Sequence, residues 1–110
     1  MQTWYEVIKK HKSQGGVYTK QGKVVSILIS KKEDPLYKNT FENDSITYHI
    51  TNKHVGKGWI LKFKDAINHQ YPITVYRKYA PNKWENEGQF VVKKIIKENA
   101  ENSYFFLIRY

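Results

Sequence analysis

Four segments from residue 46 onward, residues 46–51, 73–77, 89–96 and 103–109, place β-branched and aromatic residues together at strand length. In the first of these, Ile46, Tyr48 and Ile50 alternate with Thr47, His49 and Thr51, the pattern of a half-buried strand, because successive strand side chains point to opposite faces. Pro72 disfavours helix in the residue before it and starts the second segment extended. Residues 97–102 read as a hairpin loop between the last two. Connections this short favour antiparallel pairing, since parallel neighbours need a long crossover.

The rest of the sequence adds two helices and one more strand. Trp4, Val7, Ile8 and His11 fall at helical spacing, with Glu6, Lys9, Lys10 and Lys12 on the other side, so residues 3–12 are expected to form a short amphipathic helix stopped by Gly15-Gly16. Residues 24–30 are β-branched and short enough for a strand. A charged turn at 31–35 ends it, and residues 35–45 read as a loop anchored by Leu36, Tyr37 and Phe41. Trp59, Ile60, Phe63, Ala66 and Ile67 share one helical face, with Lys62, Asp65 and Asn68 opposite; an alternating strand over 59–64 is the competing reading. About five strands and one or two helices in 110 residues give a single domain over residues 1–110. The expected class is α+β: a small, mostly antiparallel curved sheet or open β-barrel with peripheral helices.

Composition narrows the chemistry. Nineteen Lys and Arg against ten Asp and Glu leave a net charge of +9, which favours a polyanionic partner. Only Arg77 and Arg109 are arginines, so most of this charge consists of lysine point charges rather than bidentate readers. With no cysteine, disulfides, thiolate zinc sites and cysteine nucleophiles are excluded. No glycine-rich phosphate loop, serine elbow or paired nuclease carboxylates are present, and the four histidines lack metal-ligand spacing. The expectation is a non-catalytic binding domain without metal or cofactor. The N-terminal residues lack the plan of a signal peptide and no apolar run is long enough to span a bilayer, so a cytoplasmic location is expected.

Seventeen aromatics are more than a basic surface needs. Trp4, Phe63, Phe90 and Phe105 are expected in the core. Tyr37, Tyr48, Tyr79 and Trp84, in loops or beside polar neighbours, are candidates for exposure, where a base could stack on them. Asp44 stands in Asn43-Asp44-Ser45, good turn chemistry, and just before a tyrosine-bearing strand.

The order of these pieces resembles the SRA (YDG) family of modified-cytosine readers, within the wider PUA-like fold. That family runs through a tyrosine-and-acid loop, a Phe-x-Tyr-Thr-Gly strand, a helix, a Pro-Val-Arg-Val-x-Arg strand, a Tyr-x-Gly-x-Tyr-x-Val-Val strand and an aromatic strand ending in Leu-x-Arg. Here the corresponding pieces are residues 37–44, Ile46-Thr47-Tyr48, residues 59–69, residues 72–77, residues 84–92 and residues 105–109. His49-Ile50 stand where the family has its glycine. The resemblance implies that Asp44 accepts a hydrogen bond from the exocyclic amine of a flipped cytosine, with Tyr37 and Tyr48 as aromatic plates around the base. It places Lys53, His54, Lys57, Arg77, Lys78 and Lys83 around the pocket, holding phosphates. A flipped base needs π surfaces on its faces and a polar group on its edge.

The expected function is thus a module that binds double-stranded DNA and recognises a modified or flipped base, modified cytosine first, as the specificity domain of a restriction or defence system. Two alternatives stay open: a phage- or mobile-element-type regulatory protein that binds an acidic partner, and an RNA-binding PUA-like domain.

Overall fold

A computed structural model describes residues 1–30, 39–51 and 56–110, the side chains of residues 56 and 57 excepted. Among the described residues two helices and seven strands follow one another as α1 (Trp4–His11), β1 (Val17–Lys20), β2 (Lys23–Ser30), β3 (Thr40–Glu42), β4 (Ser45–Thr51), α2 (Gly56–His69), β5 (Ile73–Ala80), β6 (Lys83–Glu98) and β7 (Asn102–Arg109). The strands form one sheet in the order β1-β2-β5-β6-β7-β4-β3. Every neighbouring pair is antiparallel except β2–β5, where Ser26 to Ser30 run parallel to Thr74 to Lys78. The crossover that parallel pairing requires carries β3, β4 and α2.

The expected α+β class and curved, unclosed sheet are what the chain adopts. Two short strands were not expected from the sequence, β1 in a stretch left unassigned and β3 in one read as loop. β1 pairs back on β2 across a turn at Gln21-Gly22, and β3 pairs with β4 across a two-residue turn at Asn43-Asp44. Asn43 has φ of 52°, the positive value such hairpin turns demand of their first residue. Strand β6 begins at Lys83, earlier than the alternation shows, because its first half is polar and kinked by register shifts against β5.

The core lies between the sheet and α2. Phe63, Phe90 and Phe105 are fully buried, as are Ile27, Ile46, Ile73 and Leu107. Helical spacing therefore wins over alternation at residues 59–67, since only a helix brings Ile60, Phe63 and Ala66 to one buried face. None of the described helices is long and apolar enough to cross a membrane.

Helix α1 covers a second, smaller cluster. Thr3 and Glu6 form a capping box at its start, and Lys12 ends it with φ of 55°. Val7 packs with Tyr76 and Trp84, and Trp4 tilts against Trp84 at 5.3 Å. Trp84 is thus buried, contrary to the exposure expected of it, while Trp4 is only half-buried. His11 is fully buried between Ser26 Oγ (2.6 Å from Nδ1) and the Gly15 carbonyl (2.8 Å from Nε2). A carbonyl only accepts, so Nε2 carries the proton and Nδ1 accepts from the serine hydroxyl. Burial lowers the His11 pKa, opposed in part by the Gly15 bond, and favours this neutral form.

The sheet rolls up at its β3 edge. In the ladder, β3 is separated from β6 and β5 by β4 and β7, yet Phe41 of β3 meets Phe90 of β6 edge-on at 5.6 Å. The guanidinium of Arg77 on β5 lies 4.4 Å from the same Phe41 ring. Strong right-handed twist lets a seven-stranded sheet curl this far without closing its ladder.

Candidate functional site

Five residues from four strands form a column across the rolled sheet: Arg109, Phe90, Phe41, Arg77 and Tyr79. The Arg109 guanidinium lies 4.6 Å from the centre of the Phe90 ring, and Arg77 lies 5.1 Å from that of Tyr79 as well as over Phe41. Both arginines of the chain are thus recruited to one aromatic pair. A planar guanidinium stacks on a ring face while its edge stays available for hydrogen bonds, which a lysine ammonium does not match.

The two ends of the column differ in charge balance. At one end, Arg109 Nε donates to Asp44 Oδ1 at 2.7 Å, its Nη1 donates to the Glu87 carbonyl, and its backbone amide donates to the Asp44 carbonyl. Gly88, with φ of 92°, lets this guanidinium pass, since a Cβ there would stand 3.2 Å from Arg109 Nη1. At the other end, Arg77 has no ion pair among the described residues. Among the described residues its Nη1 reaches only the Tyr79 hydroxyl, at 3.5 Å, and its buried Nε has no hydrogen-bond partner. The Tyr79 hydroxyl in turn donates to Glu87 Oε1 at 2.6 Å. That bond, with smaller contributions from desolvation and the Glu87 charge, raises the phenol pKa and so keeps its proton in place.

Asp44 sits at the tip of the β3–β4 hairpin with its side chain 75% exposed. It borders an open depression of about 470 Å³ lined by Glu42, Asn43, Asp44, Ser45, Ile108 and Arg109. The ion pair with Arg109 occupies one carboxylate oxygen there, and the other has no partner among the described residues.

Tyr48 is placed otherwise than the sequence reading assigned it. Its side chain is 5% exposed, its ring stacks on Phe63 at 5.7 Å, and its hydroxyl donates to the carbonyls of Gly16 and Leu28. A Cβ on Gly16 would come within 2.9 Å of that hydroxyl, so the tyrosine and the glycine fit as a pair. The plate expected to face a base is closed over by α2. The alternation noted in the sequence already carried this placement, because Tyr48 shares its face with the buried Ile46 and Ile50.

Of the expected phosphate-holding cations, Arg77, Lys78 and Lys83 all belong to the β5–β6 hairpin, but Arg77 points to the Phe41 face and Lys78 to the opposite face, beside Trp84. Lys78 lies 5.9 Å from the Trp84 ring and Lys83 is exposed. Tyr37, Lys53 and His54 lie outside the described residues, as does the side chain of Lys57. His49 is buried, stacked on Tyr104 at 4.5 Å, and its Nε2 lies 2.7 Å from Asn102 Oδ1. No group of three potential metal ligands occurs among the described residues. The arginine–aromatic column escaped the sequence reading, because its members come from β3, β5, β6 and β7 and share no local spacing.

The fold is of the SRA type, as its likeness to solved structures shows. Neither a protein-family model nor a curated protein sequence matches the chain. Solved structures do. The SRA domain of SUVH5 in complex with fully methylated CG DNA superposes with a TM-score of 0.74 at 20% identity, covering 100% of this chain and 85% of that one. The same domain in complex with methylated CHH DNA gives 0.73 at 22% identity, with equal coverage. Arabidopsis thaliana SUVH6, in complex with SAM, gives 0.71 at 25% identity, and there this chain spans 25% of the larger protein.

Proposed function

We propose that this chain is a non-catalytic module that binds double-stranded DNA and recognises a modified base, modified cytosine foremost. The carrying observation is that its whole length superposes on SRA domains held in complex with methylated DNA. The net charge of +9 supports the same reading, since phosphate neutralisation supplies most sequence-independent affinity. A restriction or defence system that must tell modified from plain DNA is the setting this activity fits.

In this reading Asp44 is the carboxylate that meets the base edge. It has an acceptor oxygen to offer, and Arg109 holds the group in a fixed place. Tyr37 is proposed as the aromatic plate, and Lys53, His54, Lys57, Lys78 and Lys83 as point charges along the backbone. Unpairing a base costs a few kcal/mol, and one stacked ring with one charge-assisted hydrogen bond is of a size to offset it.

Anisotropy titrations with duplexes identical but for cytosine, 5-methylcytosine or 5-hydroxymethylcytosine at one position test the proposal. A several-fold preference for one modified duplex is expected, with affinity falling by roughly 0.9 decades per decade of salt for each phosphate neutralised. Equal affinity for all three would remove modified-base recognition, and tighter binding to the matching RNA would replace DNA as the partner.

A further inference from the structure

Arg77 is the described cation whose environment is built and left incomplete. Its guanidinium lies over both Phe41 and Tyr79, its Nε is shielded from water without an acceptor, and no carboxylate among the described residues pairs with it. A guanidinium already held over two rings has little freedom left to lose, so an oxyanion that reaches it incurs less ordering cost than at an exposed lysine. Glu87 lies close by but bonds the Tyr79 hydroxyl rather than the arginine. Because the phenol spends its proton on Glu87, its oxygen lone pair faces Arg77 Nη1. The carboxylate thereby orients the guanidinium through the phenol and does not close off its edge.

We propose that Arg77 is a preorganised site for a phosphodiester oxyanion, bound at its Nη groups, and that Tyr79 and Glu87 are its positioning residues. An oxyanion presenting two oxygens in one plane matches the guanidinium fork, which distinguishes this site from the lysines that act as point charges. The inference rests on the DNA-binding reading for its ligand but not on modified-base recognition. Arg109 provides the internal contrast: it sits on the other ring of the same pair, with Asp44 already in place.

The site is first tested without DNA, by titrating isotope-labelled protein with inorganic phosphate and following the guanidinium N–H resonances of Arg77. The signals are expected to shift in the wild type and to shift less in Glu87→Gln and Tyr79→Phe, both checked for intact folding by thermal melts. Resonances that phosphate leaves unmoved in the wild type overturn the proposal. On DNA, Arg77→Gln should weaken binding to plain and 5-methylcytosine duplexes by the same factor, about tenfold, the scale of one charge-assisted hydrogen bond. It should also lower the salt slope by about 0.9. Arg77→Lys should keep the slope yet lose several-fold in affinity, because the charge remains and the fork does not. An unchanged slope in Arg77→Gln overturns the site, and so does a loss confined to one duplex, which would make Arg77 a base reader. Equal wild-type affinity for the two duplexes would overturn modified-base recognition alone, with the Arg77 slope still deciding the oxyanion site.

Discussion

Tyr48, Phe63 and Phe105 form one aromatic cluster in this fold, Phe41 and Phe90 another, and different residues close them. The first is sealed by α2, with Phe63 and Phe105 fully buried and 5.1 Å apart. The second lies at the edge of the same core, where guanidinium groups replace the helix as its cover. An aliphatic lid makes aromatic rings pure core. A cationic lid gives the rings a second task, to hold charge at the surface in a set orientation. Composition does not separate the two, because both are built on phenylalanine.

The sharpest way to break this contrast is Phe63→Ala. Loss of a fully buried ring is expected to cost about 3–5 kcal/mol in urea unfolding, while DNA affinity of the molecules that remain folded stays unchanged. Phe41→Ala should do the reverse: about 1–2 kcal/mol of stability, with a clear loss of DNA affinity as Arg77 loses its platform. If its affinity held at the wild-type value, the column would be packing and nothing more. Next in size, Tyr48→Phe removes a hydroxyl bonded to two carbonyls and should cost about 1 kcal/mol with no change in duplex preference. A collapse of that preference would return Tyr48 to the base pocket. Smallest in stability is Asp44→Asn, within about 1 kcal/mol because the ion pair is exposed. Its effect belongs in recognition: discrimination between modified and plain duplexes should fall while affinity for plain DNA stays near wild type. Retained discrimination would reduce Asp44 to a hairpin residue that steadies Arg109.

Strand alternation made β4, β5 and β7 readable from sequence, and the face shared by Ile60, Phe63 and Ala66 made α2 so. Strand β3 was not readable, because three residues carry no period and its pairing depends on the Asn43 turn. The candidate site was legible only in part. Asp44 stood out as an acid in a basic chain, and its place in a turn was written in Asn-Asp-Ser. That Arg109 would answer it across the sheet was not, since the contact depends on the β4–β7 register, in which Ser45 faces Ile108. Nor does any local pattern announce that Arg77 and Phe41 meet, because sheet curvature sets that contact and no single segment encodes it.

The strand order also dictates how such a chain can assemble. The centre of the sheet is the β5–β6–β7 meander, whose pairings are local, whereas β2 finds its partner in β5 and β4 in β7. Four strands made earlier on the ribosome therefore complete their pairing only after residues 73–109 emerge. Until then β1–β2 and β3–β4 are free hairpins with open edges, and two-stranded hairpins are marginal in water. Closing the long loops to reach them is the slow step that such non-local pairing imposes. Folding is expected to nucleate in the C-terminal meander and to add the hairpins to its two flanks. The arginine–aromatic column, which needs β3 against β5 and β6, is then among the last features to form.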